Sequence, residues 1–255
     1  MDTAQHIAAL EQDGNLLAAA AERAGLGAPV PSCPPWMVRD LLRHLGYVHR
    51  WAASHVRGEP RPGDPSEAEV LRGGPPDADL VGWFRAGHAA LVSTLLAADA
   101  DRQFWAPVAG PSGRAAWARR QAHETAIHRV DAELAAGPVT PFPADFAADG
   151  IDELIMGFFG RDPEAPDPQA GRLQVRADDA GAAPAAWRVE LTADGRRAAR
   201  VQRGPGPAAC TLTGPASGLY QLLWNRCDPA AAGVTVSGDA RLAQSWRDGM
   251  QVRWE

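Results

Sequence analysis

The spacing of apolar residues changes once along this chain, and that change limits the fold more than any other feature. Up to about residue 159, apolar side chains recur every three or four positions, the period of an amphipathic helix. Beyond Gly160–Gly171, a stretch of Asp, Pro and Ala, apolar and polar residues alternate as they do in half-buried strands. The two periods place side chains on different faces, so one element cannot serve both. The sequence therefore predicts a helical domain over 1–160, a linker, and an α+β domain over 171–255.

Four helical stretches of about 20 residues stand in the first part. One runs from Thr3 to Ala24 with Ile7, Leu10 and Leu17 on one face. A second begins at the proline-rich Pro29–Trp36, carries Met37, Leu41, Val48 and Trp51 as an apolar stripe, and ends near Arg57. A third spans Asp77 to Ala98 with Leu80, Phe84, Leu91 and Leu95 inward, and a fourth spans Ala115 to Ala136. Four amphipathic helices of this length bury their stripes most simply as a four-helix bundle. Residues 58–76, dense in Pro and Gly, read as a long irregular loop, and 103–113 as a loop with Trp105 as a packing anchor. A fifth helix is expected from Asp145 to Phe159. Strands are expected at Leu173–Arg176, Trp187–Leu191, Ala199–Gln202, Cys210–Thr213 and Val234–Val236, with Asp194-Gly195 as a hairpin turn. A helix with Leu219, Leu222 and Leu223 inward and a short one over Ala240–Arg247 complete the pattern.

The fourth helix carries Glu124 and His128, four residues apart and so on one face, where a carboxylate oxygen and an imidazole nitrogen can meet one ion. His123 and His128 stand roughly 140° apart around the helix, so they do not form the zinc-binding pair of an HExxH motif. A catalytic zinc usually takes three protein ligands and leaves a fourth position open. The second helix offers two candidates for the third: His44, inside the apolar stripe, and His49, on the neighbouring line with Leu42 and Leu45. A lone histidine on an apolar face is also read as a core residue. His55 is expected beside the site or facing solvent, and His123 at the surface or beside the site. Asp131 either orients a neighbouring histidine or is exposed, and Cys33 is expected as a buried, inert thiol.

Composition narrows the setting. A net charge of −6 argues against a nucleic-acid partner. No apolar run approaches about 18 residues and the first residues lack a signal-peptide pattern, so neither a membrane span nor secretion is expected. Three cysteines with no close spacing fit a reducing cytoplasm. A monomer or small homo-oligomer is expected.

The pattern Pro35-Trp36-x3-Asp40-Leu41-x2-His44-Leu45, followed by His123-Glu124-x3-His128-Arg129-x-Asp131, resembles the mycothiol-dependent maleylpyruvate isomerase family. So do Gly214-Pro215-Ala216-Ser217, Leu223-Trp224-Asn225-Arg226 and Val234-x-Val236-x-Gly238-Asp239-Ala240. The resemblance implies a DinB-like four-helix bundle followed by a sterol-carrier-like α+β domain. It implies zinc on His44, Glu124 and His128, mycothiol as cofactor, and a functional arginine at Arg226. A metal-held thiol loses its proton and becomes a nucleophile. Addition to a conjugated double bond would give cis–trans isomerisation, and displacement of a leaving group S-transfer to a small electrophile. Arg226 suits a carboxylate through its planar donor fork, or else interacts with the last carbonyls of a helix. A metal-dependent hydrolase and a non-enzymatic ligand-binding module are the competing readings.

Overall fold

Asp2 starts the first helix through a capping box: its carboxylate accepts the Gln5 N–H at 2.8 Å, and the Gln5 side chain accepts the Asp2 N–H at 2.8 Å. The computed structural model describes residues 1–59, 66–159, 171–181, 185–192 and 198–249. Helix α1 spans Thr3–Ala24, α2 Val38–Arg57, α4 Asp77–Ala97 and α5 Gly113–Ala136. Gly58 ends α2 in the left-handed region at φ 75°, a conformation that favours glycine. Ser112 caps α5, its hydroxyl accepting the Ala115 N–H at 3.3 Å.

Helix α1 packs on α5 and α4, and α2 packs on α4 and α5, which closes a ring of four helices around one core. Leu17, Val38, Leu41, Leu42, Leu45, Leu80 and Phe84 are fully buried in that core. Gly14 lets α1 and α4 approach, since a Cβ there would lie 2.2 Å from the His88 ring. Helix α4 is long and apolar enough to cross a membrane by length and composition, but its Leu80, Phe84, Leu91 and Leu95 stripe is buried against the other helices.

Two details of this region differ from the sequence pattern, and a third follows it. Met37 precedes α2 as its N-cap residue and is 37% exposed, so the buried stripe begins at Val38 and Leu41. The long loop contains a short helix, α3 (Glu67–Arg72), because Ser66 donates through both its N–H and its hydroxyl to Glu69 Oε2; its residues 60–65 lie outside the described ones. Trp105 is half exposed, and it anchors its loop by ring contacts with Trp51, His55 and Trp117 and by accepting the Trp117 indole N–H at 2.9 Å.

The chain divides into two compact units at Thr140/Pro141 rather than near residue 160. Helix α6 (Ala144–Asp152) continues as a π-helical turn over Glu153–Phe158, where a single α-helix is expected. Helix α6 packs on α7 (Ala216–Leu223), with Phe142 and Phe146 against Tyr220, which is why it falls in the second unit. Strands β1 (Gly171–Ala177), β2 (Ala186–Leu191), β3 (Ala198–Arg203), β4 (Cys210–Gly214) and β5 (Thr235–Gly238) form one sheet in the order β3-β2-β1-β4-β5. Only the β1–β4 pair is parallel. Helices α7 and α8 (Ala240–Gly249) pack on that central pair. The expected linker up to residue 170 and the Asp194-Gly195 turn lie outside the described residues.

Candidate metal centre

The helical phase that places Glu124 and His128 on one face of α5 turns that face toward α2. There His44 meets them. Glu124 Oε1 lies 3.5 Å from His44 Nε2 and 3.4 Å from His128 Nε2, and all three ligand-type atoms fall within 4.8 Å of one another. Two ligands bonded at about 2.0–2.1 Å with tetrahedral angles stand roughly 3.3–3.4 Å apart. The donor spacing thus suits a small divalent ion such as zinc.

The surroundings prepare each donor. Arg120 donates to Glu124 Oε2 at 2.6 Å, which ties up one carboxylate oxygen and leaves Oε1 facing the imidazoles. Burial works to raise the Glu124 pKa, yet the Arg120 charge and the two histidines hold it well below the usual range, so the group is a carboxylate. Burial pushes His44 below its ordinary value, which keeps that imidazole a neutral donor. At His128 burial works downward too, but Asp131 and Glu124 outweigh it and raise the pKa to about 9. An ion entering the site must therefore displace a proton from His128 Nε2. The other nitrogen, Nδ1, is 2.8 Å from Asp131 Oδ2, and Asp131 is fully buried. Metal-binding histidines are commonly oriented by such a carboxylate. The indole of Trp36 packs over the pair, 5.0 Å from the His44 ring and 6.2 Å from that of His128.

Two family models account for most of the sequence. Residues 7–133 match the mycothiol maleylpyruvate isomerase N-terminal domain, and residues 145–245 match the MDMPI C-terminal domain. The chain belongs to the mycothiol-dependent maleylpyruvate isomerase family. Its fold is similar to the crystal structure of the mycothiol-dependent maleylpyruvate isomerase, with 14% sequence identity over 93% of each chain and a TM-score of 0.64. A histidine-to-alanine mutant of that isomerase gives 0.66 at the same identity and coverage. At this identity the likeness is one of fold: a helical N-terminal domain followed by an α+β domain. A search of the curated proteins finds no match.

In this family member the remaining candidates separate cleanly. His49 is fully buried, shares a 2.9 Å hydrogen bond with Thr125 Oγ1, and packs on Phe84 and His88. It is a core residue. His55 lies among Trp51, Trp105 and Trp117. His123 is fully buried with its ring edge-on to His6 at 5.9 Å, not at the surface, because one step from Glu124 rotates about 100° toward α1. Asp131 is the orienting residue, not an exposed one. Cys33 is only partly buried, with Sγ 3.5 Å from Asp131 Oδ2.

Arg226 belongs to the second unit, where α7 ends in a Schellman motif. Asn225, at φ 61°, donates its N–H to the Leu222 carbonyl at 2.9 Å, and Arg226 donates its N–H to Gln221 at 2.9 Å. The Arg226 guanidinium donates through Nη1 to the Trp224 carbonyl at 2.7 Å, the contact of a helix-terminal arginine. Sequence reasoning missed Arg120 and Ser32. The four-residue step from Arg120 to Glu124 was a usable signal. Ser32 donates to Asp131 Oδ1 at 2.5 Å from 99 residues away, and no local pattern points to it.

Proposed function

We propose that this chain is a zinc-dependent, mycothiol-using enzyme that turns a thiol on a small electrophile, as an isomerase of the maleylpyruvate type or as an S-transferase. The observation that carries the reading is the partly buried His44, Glu124 and His128 donor set, with His128 oriented by Asp131. Family membership and the named activity of the structurally similar isomerase support the thiol cofactor. Zinc held by these three residues would supply a Lewis acid with an open position, at which a thiol loses its proton near neutral pH.

The chain's own residues do the rest. Arg120 keeps Glu124 ionised and directs Oε1 inward, and Asp131 holds one proton of His128 on Nδ1, so that the proton an entering ion displaces is the one on Nε2. Trp36 covers the imidazoles and limits water at their edge. Arg226 is proposed to hold a carboxylate of substrate or cofactor through its planar fork. A conjugated double bond in the substrate makes the reaction an isomerisation, and a leaving group makes it a transfer.

The test is metal content by mass spectrometry on wild type and His44→Ala purified side by side, followed by turnover of maleylpyruvate and of alkylating electrophiles with mycothiol. Near-stoichiometric zinc in wild type only, with thiol-dependent turnover, is expected. Zinc without thiol dependence but with ester or amide turnover would move the reading to a hydrolase. No metal in either protein would move it to a binding module.

A further inference from the structure

Between α1 and α2 the chain closes a small loop on itself. Val30 donates its N–H to the Trp36 carbonyl at 2.9 Å, Cys33 to Val30 at 3.1 Å, and Trp36 to Cys33 at 2.8 Å, while Pro29 and Met37 pair across the base. These bonds use up much of the loop's backbone polarity internally, so its shape is set before it touches α5. Two consecutive side chains, Ser32 and Cys33, then reach one carboxylate. Ser32 Oγ is 2.5 Å from Asp131 Oδ1, and Cys33 Sγ is 3.5 Å from Oδ2, the oxygen that also accepts from His128 Nδ1.

A carboxylate joined to its helix by two rotatable bonds can turn and present either oxygen. With Oδ1 held by the Ser32 hydroxyl, Asp131 is locked with Oδ2 toward Nδ1. Locking the acceptor in turn fixes both the tautomer of His128 and the tilt of its ring. The same loop carries Trp36 onto the faces of His44 and His128. One rigid turn, distant in sequence from α5, thereby sets the orientation of a ligand it does not touch through Ser32.

We infer that Ser32 is a positioning residue of the metal centre, acting through Asp131 on His128 with Cys33 as a weaker partner; the inference rests on the metal reading above. The experiment measures zinc affinity by competition with a chromophoric chelator, and the visible absorption of the Co²⁺-loaded protein, for wild type, Ser32→Ala, Ser32→Thr and Cys33→Ala. Ser32→Ala is expected to bind zinc about tenfold or more weakly and to show an altered Co²⁺ spectrum. Ser32→Thr, which keeps the hydroxyl, restores both, and Cys33→Ala changes affinity less than Ser32→Ala. Wild-type affinity and spectrum in Ser32→Ala would overturn the inference. So would a Ser32→Ala protein whose metal-free unfolding temperature falls while its Co²⁺ spectrum stays unchanged, since that marks a role in the fold alone. A wild type that binds neither ion would remove the metal reading itself, and the inference with it.

Discussion

Near the C-terminal end of α5, Glu133 is a buried carboxylate whose partners all come from nearby chain. Thr140 donates both its N–H, at 3.0 Å, and its hydroxyl, at 2.9 Å, and Arg129 lies 3.5 Å away while also reaching Asp13 at 3.2 Å. Further up the same helix Glu124 is more open, its side chain 12% exposed against 3% for Glu133, and only Oε2 has a fixed cation, Arg120; Oε1 faces two imidazole nitrogens that compete for it. The first cluster is closed by its own donors and ties helix ends together. The second gathers three Lewis bases on one point, an arrangement that costs free energy unless a proton or a metal ion occupies it. Burial of a carboxylate therefore does not mark a functional site; what marks it is which of its neighbours are donors and which are acceptors.

The largest expected effect falls on the Glu124 side: His44→Ala should abolish stoichiometric metal, read by mass spectrometry, and leave a folded protein by circular dichroism. Metal retained in that variant would place the ion elsewhere. On the other side, Glu133→Ala leaves Arg129 buried with one fewer partner and should lower stability by about 3–5 kcal/mol in urea unfolding, while the folded fraction still binds metal. If its metal affinity falls in step with its stability, the two clusters are coupled and the contrast fails. Arg120→Ala sits at the boundary of the comparison, since it releases Glu124 Oε2. It should weaken zinc about tenfold in a chelator competition without removing the site.

The smallest effect concerns pH. Burial raises the pKa of Asp13 to about 6, against the pull of Arg129, with Glu133 adding to the rise. Its folded-state pKa exceeds its unfolded value, so the proton it binds stabilises the fold fully below about pH 4 and is lost as pH rises through about 6. Stability should fall by about 1 kcal/mol between pH 5 and pH 7 from this group. Asp13→Asn should flatten that segment of the unfolding profile, and an unchanged slope would assign it to other groups.

Periodicity was enough to find α1, α2, α4 and α5 and most strands, because each element buries a stripe that its own spacing announces. It was not enough for α3, whose signal is a capping box of four residues inside a Pro- and Gly-rich stretch, or for the π-helical turn that ends α6. At the centre itself, the pairing of Glu124 with His128 was legible from their four-residue step. His44 and His49 were not separable on spacing alone, as both fall on buried faces of α2; the resemblance pointed to His44, and only the tertiary structure packs His49 on Phe84 and Thr125.

What the sequence determined alone is thus local: helical phase, strand alternation, caps, and which residues of one element share a face, all of which follow from backbone geometry within a few positions. Which faces meet was decided by tertiary packing. The ring order of four helices brings α2 against α5, and a closed turn at 30–36 lays Ser32, Cys33 and Trp36 upon Asp131 and the imidazoles. Apart from that of Trp36 on His44, those contacts join residues about 80 to 100 positions apart, and no short-range rule reaches that far, because they exist only once the core has excluded every other arrangement of the same four stripes.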